Sequence, residues 1–327
     1  MSSPAFPALP DFAAVEAAAA RIAPHAQRTP VRTSRSIDAL AGAEILFKCE
    51  NLQRVGAFKF RGASNAVWSL TDDVAARGVA THSSGNHGAA LALAAKTRGI
   101  AAHVVVPEGA VRSKVAAIER YGATLHRCAP TIAAREAAVR RVLDETGATL
   151  IHPYMTPEVI AGAGTAALEL IREVGTLDAL VAPIGGGGLV GGSAIVAQTL
   201  LPDAALHAAE PEGAADAYES LRRGERVREL SPDTICDGLR ALIGEINFAL
   251  LRKYDVTVLP VADAETLAAM RIVFERMKLV VEPSSAIALA AVLKHRERFA
   301  GRRVGVIVSG GNVDLDALFC NPPYGAR

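Results

Sequence analysis

Lys59 sits between Phe58 and Phe60 in the segment GAFKFRG, an unusual setting for a strongly hydrated ammonium. In a desolvated pocket such an amine loses its proton readily and can form a Schiff base with a carbonyl. At a surface the same side chain lays its stem on the rings and keeps its charge in water. Taken alone, the residue favours the surface reading, so other segments must decide. Gly185, Gly186, Gly187 and Gly188 follow an apolar run and precede a helical one. Four successive backbone N–H groups with no Cβ in the way make a cup for an anion, and the following helix adds favourable potential for a phosphate. The same loop has a rival reading. Gly186, Gly188 and Gly191 satisfy GxGxxG, and Glu210 ends the next apolar run, the fingerprint of a dinucleotide site with its ribose-binding acid. Ser83, Ser84, Gly85, Asn86 and His87 open another expected helix. Their amides and hydroxyls suit a substrate carboxylate, although one Ser or Asn would suffice as a helix cap. Ser309 opens SGGN after a late apolar run, where a lone serine ordinarily belongs to a turn.

These segments need elements to bring them together. Short β-branched or apolar runs at 44–49, 78–82, 101–106, 124–128, 149–152, 180–183, 205–210 and 303–309 are expected strands. Ala- and Leu-rich segments at 86–96, 113–121, 133–145, 158–173, 189–201, 264–276 and 284–295 are expected helices. This alternation predicts an α/β fold with open, twisted parallel sheets covered by helices. HVVVP, ALVAPI and VGVIVS are continuous apolar runs, as strands covered on both faces should be. In such sheets ligands sit at the carboxyl ends of strands, where SSGNHG, GGGG and SGGN all fall. The βα units of 72–153 are expected to form a small domain inserted in a larger one made of 1–71 and 154–327. Only a short tail follows Asn312, so no appended regulatory domain is expected.

Composition bounds the function. Half of the 327 residues are apolar, ample for a buried core. A net charge of +1, no long basic block and 5% aromatic residues point to no nucleic-acid or anionic-membrane partner. No apolar run approaches the about 20 residues of a membrane span. The N-terminus lacks a basic leader and carries Asp11 and Glu16 in its apolar part, so it reads as a tail and then a helix, not a signal peptide. Cys49, Cys128, Cys236 and Cys320 lie far apart with no CxxC pair, the usage of a reduced, cytoplasmic protein.

In this order, KCENLQRVGAFKFRGASNA (48–66), THSSGNHG (81–88), IGGGGL (184–189), EPEGAADAY (210–218), EPSSA (282–286) and SGGNVDLD (309–316) resemble the fold-type II pyridoxal-phosphate (PLP) enzymes. The similarity runs from about Thr29 to Asp316 and lies in the branch of serine racemase, threonine (serine) dehydratase and 3-hydroxyaspartate dehydratase. The resemblance implies a tryptophan-synthase-β-like fold whose larger domain holds PLP and whose smaller domain carries the substrate loop. It implies that Lys59 carries the cofactor and then removes the Cα proton. Phe58 packs by the ring, Asn86 bonds the phenolic oxygen, Gly185, Gly186, Gly187 and Gly188 hold the phosphate, and Ser309 faces the pyridine nitrogen. Ser83, Ser84, Gly85, Asn86 and His87 take the substrate carboxylate, and Ser84 stands on the ring face opposite Lys59. A neutral Ser309 limits carbanion accumulation and suits elimination; a base at Ser84 permits inversion, hence racemase activity. Glu210, Ala214 and Asp216 match a divalent-cation site for Mg²⁺, Ca²⁺ or Mn²⁺. Arg135 and His152 fall near the active site, and Arg135 can pair with a second substrate carboxylate.

The activity implied is elimination of water from a small β-hydroxy amino acid to an enamine, which decays by taking water back to give a 2-keto acid and ammonia. Threonine or serine leads, followed by 3-hydroxyaspartate, serine racemisation and phenylserine, and a homodimer is expected. Arg54 and Val55 replace a Lys-Thr pair that touches nucleotide in the animal racemases, so ATP activation is not expected. Ala241 replaces a serine near the substrate, which opens a more apolar pocket. An NAD-dependent oxidoreductase built on Gly186–Gly191 and Glu210 would leave Lys59 and SSGNH unexplained, and a catalytically silent binding protein has no use for the intact lysine.

Overall fold

The computed structural model describes residues 9–110 and 112–315; Asp316 of the last motif and Cys320 lie outside them. Ten strands build two sheets. They are β1 (Val31–Arg32), β2 (Glu44–Cys49), β3 (Val79–Thr81), β4 (Ala102–Pro107), β5 (Thr124–Cys128), β6 (Thr149–Leu150), β7 (Ala179–Pro183), β8 (Ala205–Pro211), β9 (Thr257–Val261) and β10 (Arg303–Val308). The larger sheet has the order β1-β2-β10-β7-β8-β9 and the smaller β5-β4-β3-β6. Every pairing is parallel except β1 with β2. The α/β expectation therefore holds. The central strands are buried along almost their whole length, because helices cover both faces and leave no wet side to favour alternation.

Two strands escaped the sequence reading. β1 spans two residues, and β9 contains Pro260. Proline lacks an N–H and is tolerated only at a sheet edge, which is where β9 lies. The expected helices appear with ends shifted by one or two residues, and further helices begin at Lys59, Asp216 and Glu245.

The parallel register places the chemistry. β10 lies between β2 and β7, so Ser309, Glu50 and the glycine loop leave the larger sheet at one end. In the smaller sheet, β3 and β6 are neighbours, so Ser83 and His152 leave it close together. Helix contacts fix the two halves of the cofactor region. A Cβ on Gly162 of helix Pro157–Val174 would lie 2.7 Å from Gly62 Cα of helix Lys59–Ser69, and one on Gly164 would lie 2.7 Å from Gly192 O of helix Gly188–Leu200. The backbones meet directly, so the helix begun by Lys59 and the helix begun by the glycine loop are held against one rigid neighbour.

The helix of Lys59 is also tied by charge. Arg61 is fully buried. Its Nε lies 2.7 Å from Glu50 Oε2 and its Nη1 2.7 Å from Glu169 Oε1, while Lys48 Nζ lies 2.6 Å from Glu169 Oε2. Planar guanidinium geometry serves two carboxylates at once, and these partners push the Arg61 pKa up against its burial.

Candidate active site

Lys59 is the first residue of helix Lys59–Ser69, so its backbone N–H has no helical acceptor to find. The preceding turn is pinned to the larger sheet: Phe58 N–H donates to Ser309 O at 2.9 Å and Ala57 bridges Gly310. The amine donates to Pro153 O at 2.9 Å, immediately after β6, and stands 5.0 Å from the Phe58 ring centroid. Part of the side chain stays accessible, but the amine is enclosed by protein. Burial lowers its pKa to about 8, with Glu282 pulling it back up. The Phe58 backbone thus meets Ser309 and the Lys59 amine meets Pro153 O, so the snorkelling surface reading of Lys59 is set aside.

Asn86 begins helix Asn86–Arg98. Its Nδ2 donates to Glu282 Oε1 at 2.8 Å, and its Oδ1 accepts from Asn312 Nδ2 at 2.9 Å. With one amide hydrogen and the oxygen engaged, the second hydrogen is presented in a fixed direction. Glu282 is buried, and its Oε2 has no hydrogen-bond partner among the described residues. Lys114 Nζ lies 3.7 Å from that oxygen and also bonds Asp237. Burial raises the Glu282 pKa to about 7, against the pull of Lys114.

The glycine loop is buried throughout, and Gly187 adopts φ +90° just before helix Gly188–Leu200. A Cβ on Gly185 would sit 2.9 Å from Leu239 Cα, and one on Gly186 would fall 2.3 Å from the Tyr154 ring. Side chains are excluded here by neighbouring backbone and ring, while the amides at the helix start remain as donors. Ser309 is buried next to this loop, its hydroxyl 3.4 Å from Ser284 O. The residues fit a phosphorylated aldehyde: a helix-start cup, a neutral hydroxyl, an aromatic face and a lysine with a lowered pKa.

On the side of the smaller sheet, Ser83, Ser84 and Gly85 form the loop after β3, each of them half-buried. Gly88 has no room for a Cβ, which would lie 2.0 Å from Ser83 O, so the turn is tight. His87 is buried, with Nε2 3.1 Å from Ile151 O and Nδ1 unpartnered. The carbonyl requires the proton on Nε2, leaving Nδ1 as an acceptor. His152 Nδ1 accepts from Met155 N at 3.2 Å, and burial lowers the His152 pKa to about 3. His82 stacks edge-on against His152 with centroids 5.1 Å apart, and its pKa falls through burial and, to a lesser extent, the charge of Arg135. Arg135 is partly buried, and its Nε has no partner. His87 and His152, both neutral, thus lie near Lys59, with His82 against His152 and within reach of the charge of Arg135.

Glu210 ends in the middle of a different network. Its two oxygens accept from Ala217 N and Tyr218 N at 2.8 Å each, capping helix Asp216–Arg223. Asp216 Oδ2 accepts from Ile243 N at 2.7 Å, and its buried Oδ1 is left without a partner. Burial raises Glu210 to about 8 and Asp216 to about 6, and the charge of Asp216 raises Glu210 further. Ala214 lies in the short turn between them. Among the described residues no three ionisable side chains form a metal cluster, so a cation here would rely on the Ala214 carbonyl and water. The sequence reading gave no role to Glu282, Tyr154, Asn247 or Pro153 O, whose partners lie far along the chain.

Comparison with known proteins agrees with this geometry. Residues 22–310 match the family model described as pyridoxal-phosphate dependent enzyme. The chain is 47% identical over 310 residues to a β-hydroxyaspartate dehydratase of Paracoccus denitrificans (strain Pd 1222), covering 95% of this chain and 98% of that protein. The structure of maize serine racemase matches with a TM-score of 0.93 at 45% identity, covering 96% of this chain and 97% of that one. A T.th. threonine deaminase matches with a TM-score of 0.88 at 42% identity, covering 93% of this chain and 99% of that one. The dinucleotide reading of Gly186, Gly188 and Gly191 falls with these matches, and the chain belongs to the family of pyridoxal-phosphate-dependent enzymes.

Proposed function

We propose that this protein is a PLP-dependent dehydratase (ammonia-lyase) that removes water from a small β-hydroxy amino acid, releasing a 2-keto acid and ammonia. The observation that carries the reading is Lys59: an enclosed amine with a pKa lowered to about 8, held by Pro153 O beside Phe58 and Ser309. PLP supplies an electron sink for negative charge developing at Cα. Gly185–188 would hold the phosphate and Ser309 would face the ring nitrogen without charging it. Asn86, its amide oriented by Glu282 and Asn312, would bond the phenolic oxygen. Ser83, Ser84, Gly85, Asn86 and His87 seat the substrate carboxylate at a helix start. Lys59 Nζ, whose lowered pKa leaves a larger neutral fraction when it is free, would remove the Cα proton. The β-hydroxyl would leave with a proton as water, and hydrolysis of the resulting enamine would give the 2-keto acid and ammonia. Ser84, opposite Lys59, supports a lesser racemase activity. A yellow protein absorbing near roughly 410–420 nm, bleached by borohydride with the label on Lys59, supports this reading. A colourless protein that takes up no PLP would end it.

Within this class the leading sequence expectation is threonine or serine, and one observation favours 3-hydroxyaspartate. We read the buried, unpartnered Nε of Arg135, whose charge reaches His82, as a donor for a second carboxylate. The β-hydroxyaspartate dehydratase relative supports the same choice. The unpartnered Oδ1 of Asp216, with Glu210 beside it, supports a Mg²⁺, Ca²⁺ or Mn²⁺ site completed by Ala214 O. Residues 72–153 carry all four strands of the smaller sheet, which supports a small domain set into 1–71 and 154–327. We also propose a homodimer, as the resemblance to this branch implies. Among the described residues no helix is long and apolar enough to cross a membrane, and Cys49, Cys128 and Cys236 are unpaired, which supports a cytoplasmic location.

A further inference from the structure

The glycine loop leans on a side chain that none of the motifs contains. Asn247 lies on helix Glu245–Lys253 and is fully buried. Its Nδ2 donates to Gly186 O at 2.6 Å and to Tyr154 O at 2.8 Å. Both amide hydrogens are thereby spent, one on the loop expected to hold phosphate and one on the residue after Pro153, whose carbonyl holds Lys59 Nζ. Gly244, three residues earlier, donates its N–H to Gly186 O as well, at 3.0 Å. The start of this segment is anchored where Ile243 N donates to Asp216 Oδ2.

The glycines are shaped around this residue. A Cβ on Gly187 would lie 2.7 Å from Asn247 Cβ, and one on Gly191 would lie 3.0 Å from Asn247 Oδ1. Gly187, and Gly191 of the dinucleotide-like fingerprint, thus make room for a protein amide. Gly186 O, bonded from two sides, cannot turn, so the peptide that follows it keeps its N–H aimed at the helix start. Removing the Asn247 amide would leave Tyr154 O without this donor and Gly186 O with the Gly244 N–H alone, and so would cut the tie between the two strand-end segments.

We propose that Asn247 is a positioning residue that sets the phosphate cup and the Lys59 amine in one fixed relation, by tying Gly186 to the segment after β6. This rests on the reading that Gly185–188 hold the PLP phosphate, and the test separates the two. Wild-type, Asn247→Asp and Asn247→Ala proteins are stripped and titrated with PLP and with pyridoxal, which lacks the phosphate. Wild-type protein that binds PLP no better than pyridoxal refutes the phosphate-cup reading and the proposal with it. Given a wild-type preference for PLP, the variants are expected to bind PLP roughly 10- to 100-fold more weakly, two buried hydrogen bonds being lost. Pyridoxal binding is expected to change by less than about 3-fold, and the visible band of lysine-bound PLP to shift in its pH midpoint. Equal losses for both compounds, or unchanged PLP binding, overturn the proposal. If neither variant folds, amide exchange in the wild type decides. PLP should slow exchange at Gly244, whose acceptor is Gly186 O, and no slowing overturns the proposal.

Discussion

Capture of PLP by the stripped protein should follow the ionisation of Lys59, because only the neutral amine attacks the aldehyde. An ordinary lysine has a value of 10.5, and burial brings Lys59 to about 8. A difference of about 2.5 pH units raises the neutral fraction near neutrality roughly 300-fold. The rate of appearance of the visible band, followed by stopped flow, should therefore climb with pH and level off above about 8. The sign for Glu282 is also fixed. Its negative charge favours the protonated lysine, so Glu282→Gln should move the midpoint to lower pH and leave a larger neutral fraction at neutrality. The variant keeps an acceptor oxygen for Asn86 Nδ2, so the orientation of that amide should survive. A midpoint at or above 10, or one that rises in Glu282→Gln, would refute the electrostatic reasoning.

Other outcomes follow from the same geometry. Glu210 and Asp216 hold their protons more tightly folded than unfolded, so the fold weakens as pH rises from the ordinary carboxylate range to about 6 for Asp216 and about 8 for Glu210. Mg²⁺ or Ca²⁺ should then raise the melting temperature more above pH 8 than below about pH 5, and Asp216→Asn should abolish the gain, as read by thermal melts with and without chelator. Arg135→Ala should lower kcat/KM for 3-hydroxyaspartate by roughly 10- to 100-fold, with threonine changed far less; equal losses would remove the second-carboxylate role. Gly186→Ala should drive a methyl into the Tyr154 ring and lower stability by about 1–3 kcal/mol, with weaker PLP retention, in denaturant and dialysis experiments. Arg61→Ala should strand the buried Glu50, leave Glu169 to Lys48 alone and lower unfolding free energy by about 3–5 kcal/mol in denaturant titrations.

The architecture was legible because its signals are local. The runs 44–49 and 124–128 are strands with the expected bounds, since β-branched content and flanking polar residues decide them within a short window. The edge strand with Pro260 was not legible, because its pairing is set by β8 and not by its own residues. The glycine loop, the SSGNHG helix start and Ser309 were visible as strand-end loops, and the structure brings them to the ends of β7, β3 and β10. Lys59 was ambiguous by itself, because burial of the amine depends on Pro153, 94 residues away. Glu282 was visible only as the first residue of EPSSA, with no role attached, and Asn247 left no trace in the local pattern. Their partners Asn86 and Gly186 are 196 and 61 residues distant, and a buried polar side chain reads in sequence as an exposed one.

The measurement closest to the central claim is product release by the PLP-loaded protein and by its Lys59→Ala variant, with ammonia and 2-keto acid counted together. The substrates are L-serine, D-serine, L-threonine, 3-hydroxyaspartate isomers and phenylserine. The account predicts equal amounts of ammonia and keto acid from at least one β-hydroxy amino acid with the wild type, and none above background with Lys59→Ala. Turnover that survives in Lys59→Ala, or a wild type that binds PLP on Lys59 and releases neither product from any of these substrates, would contradict it.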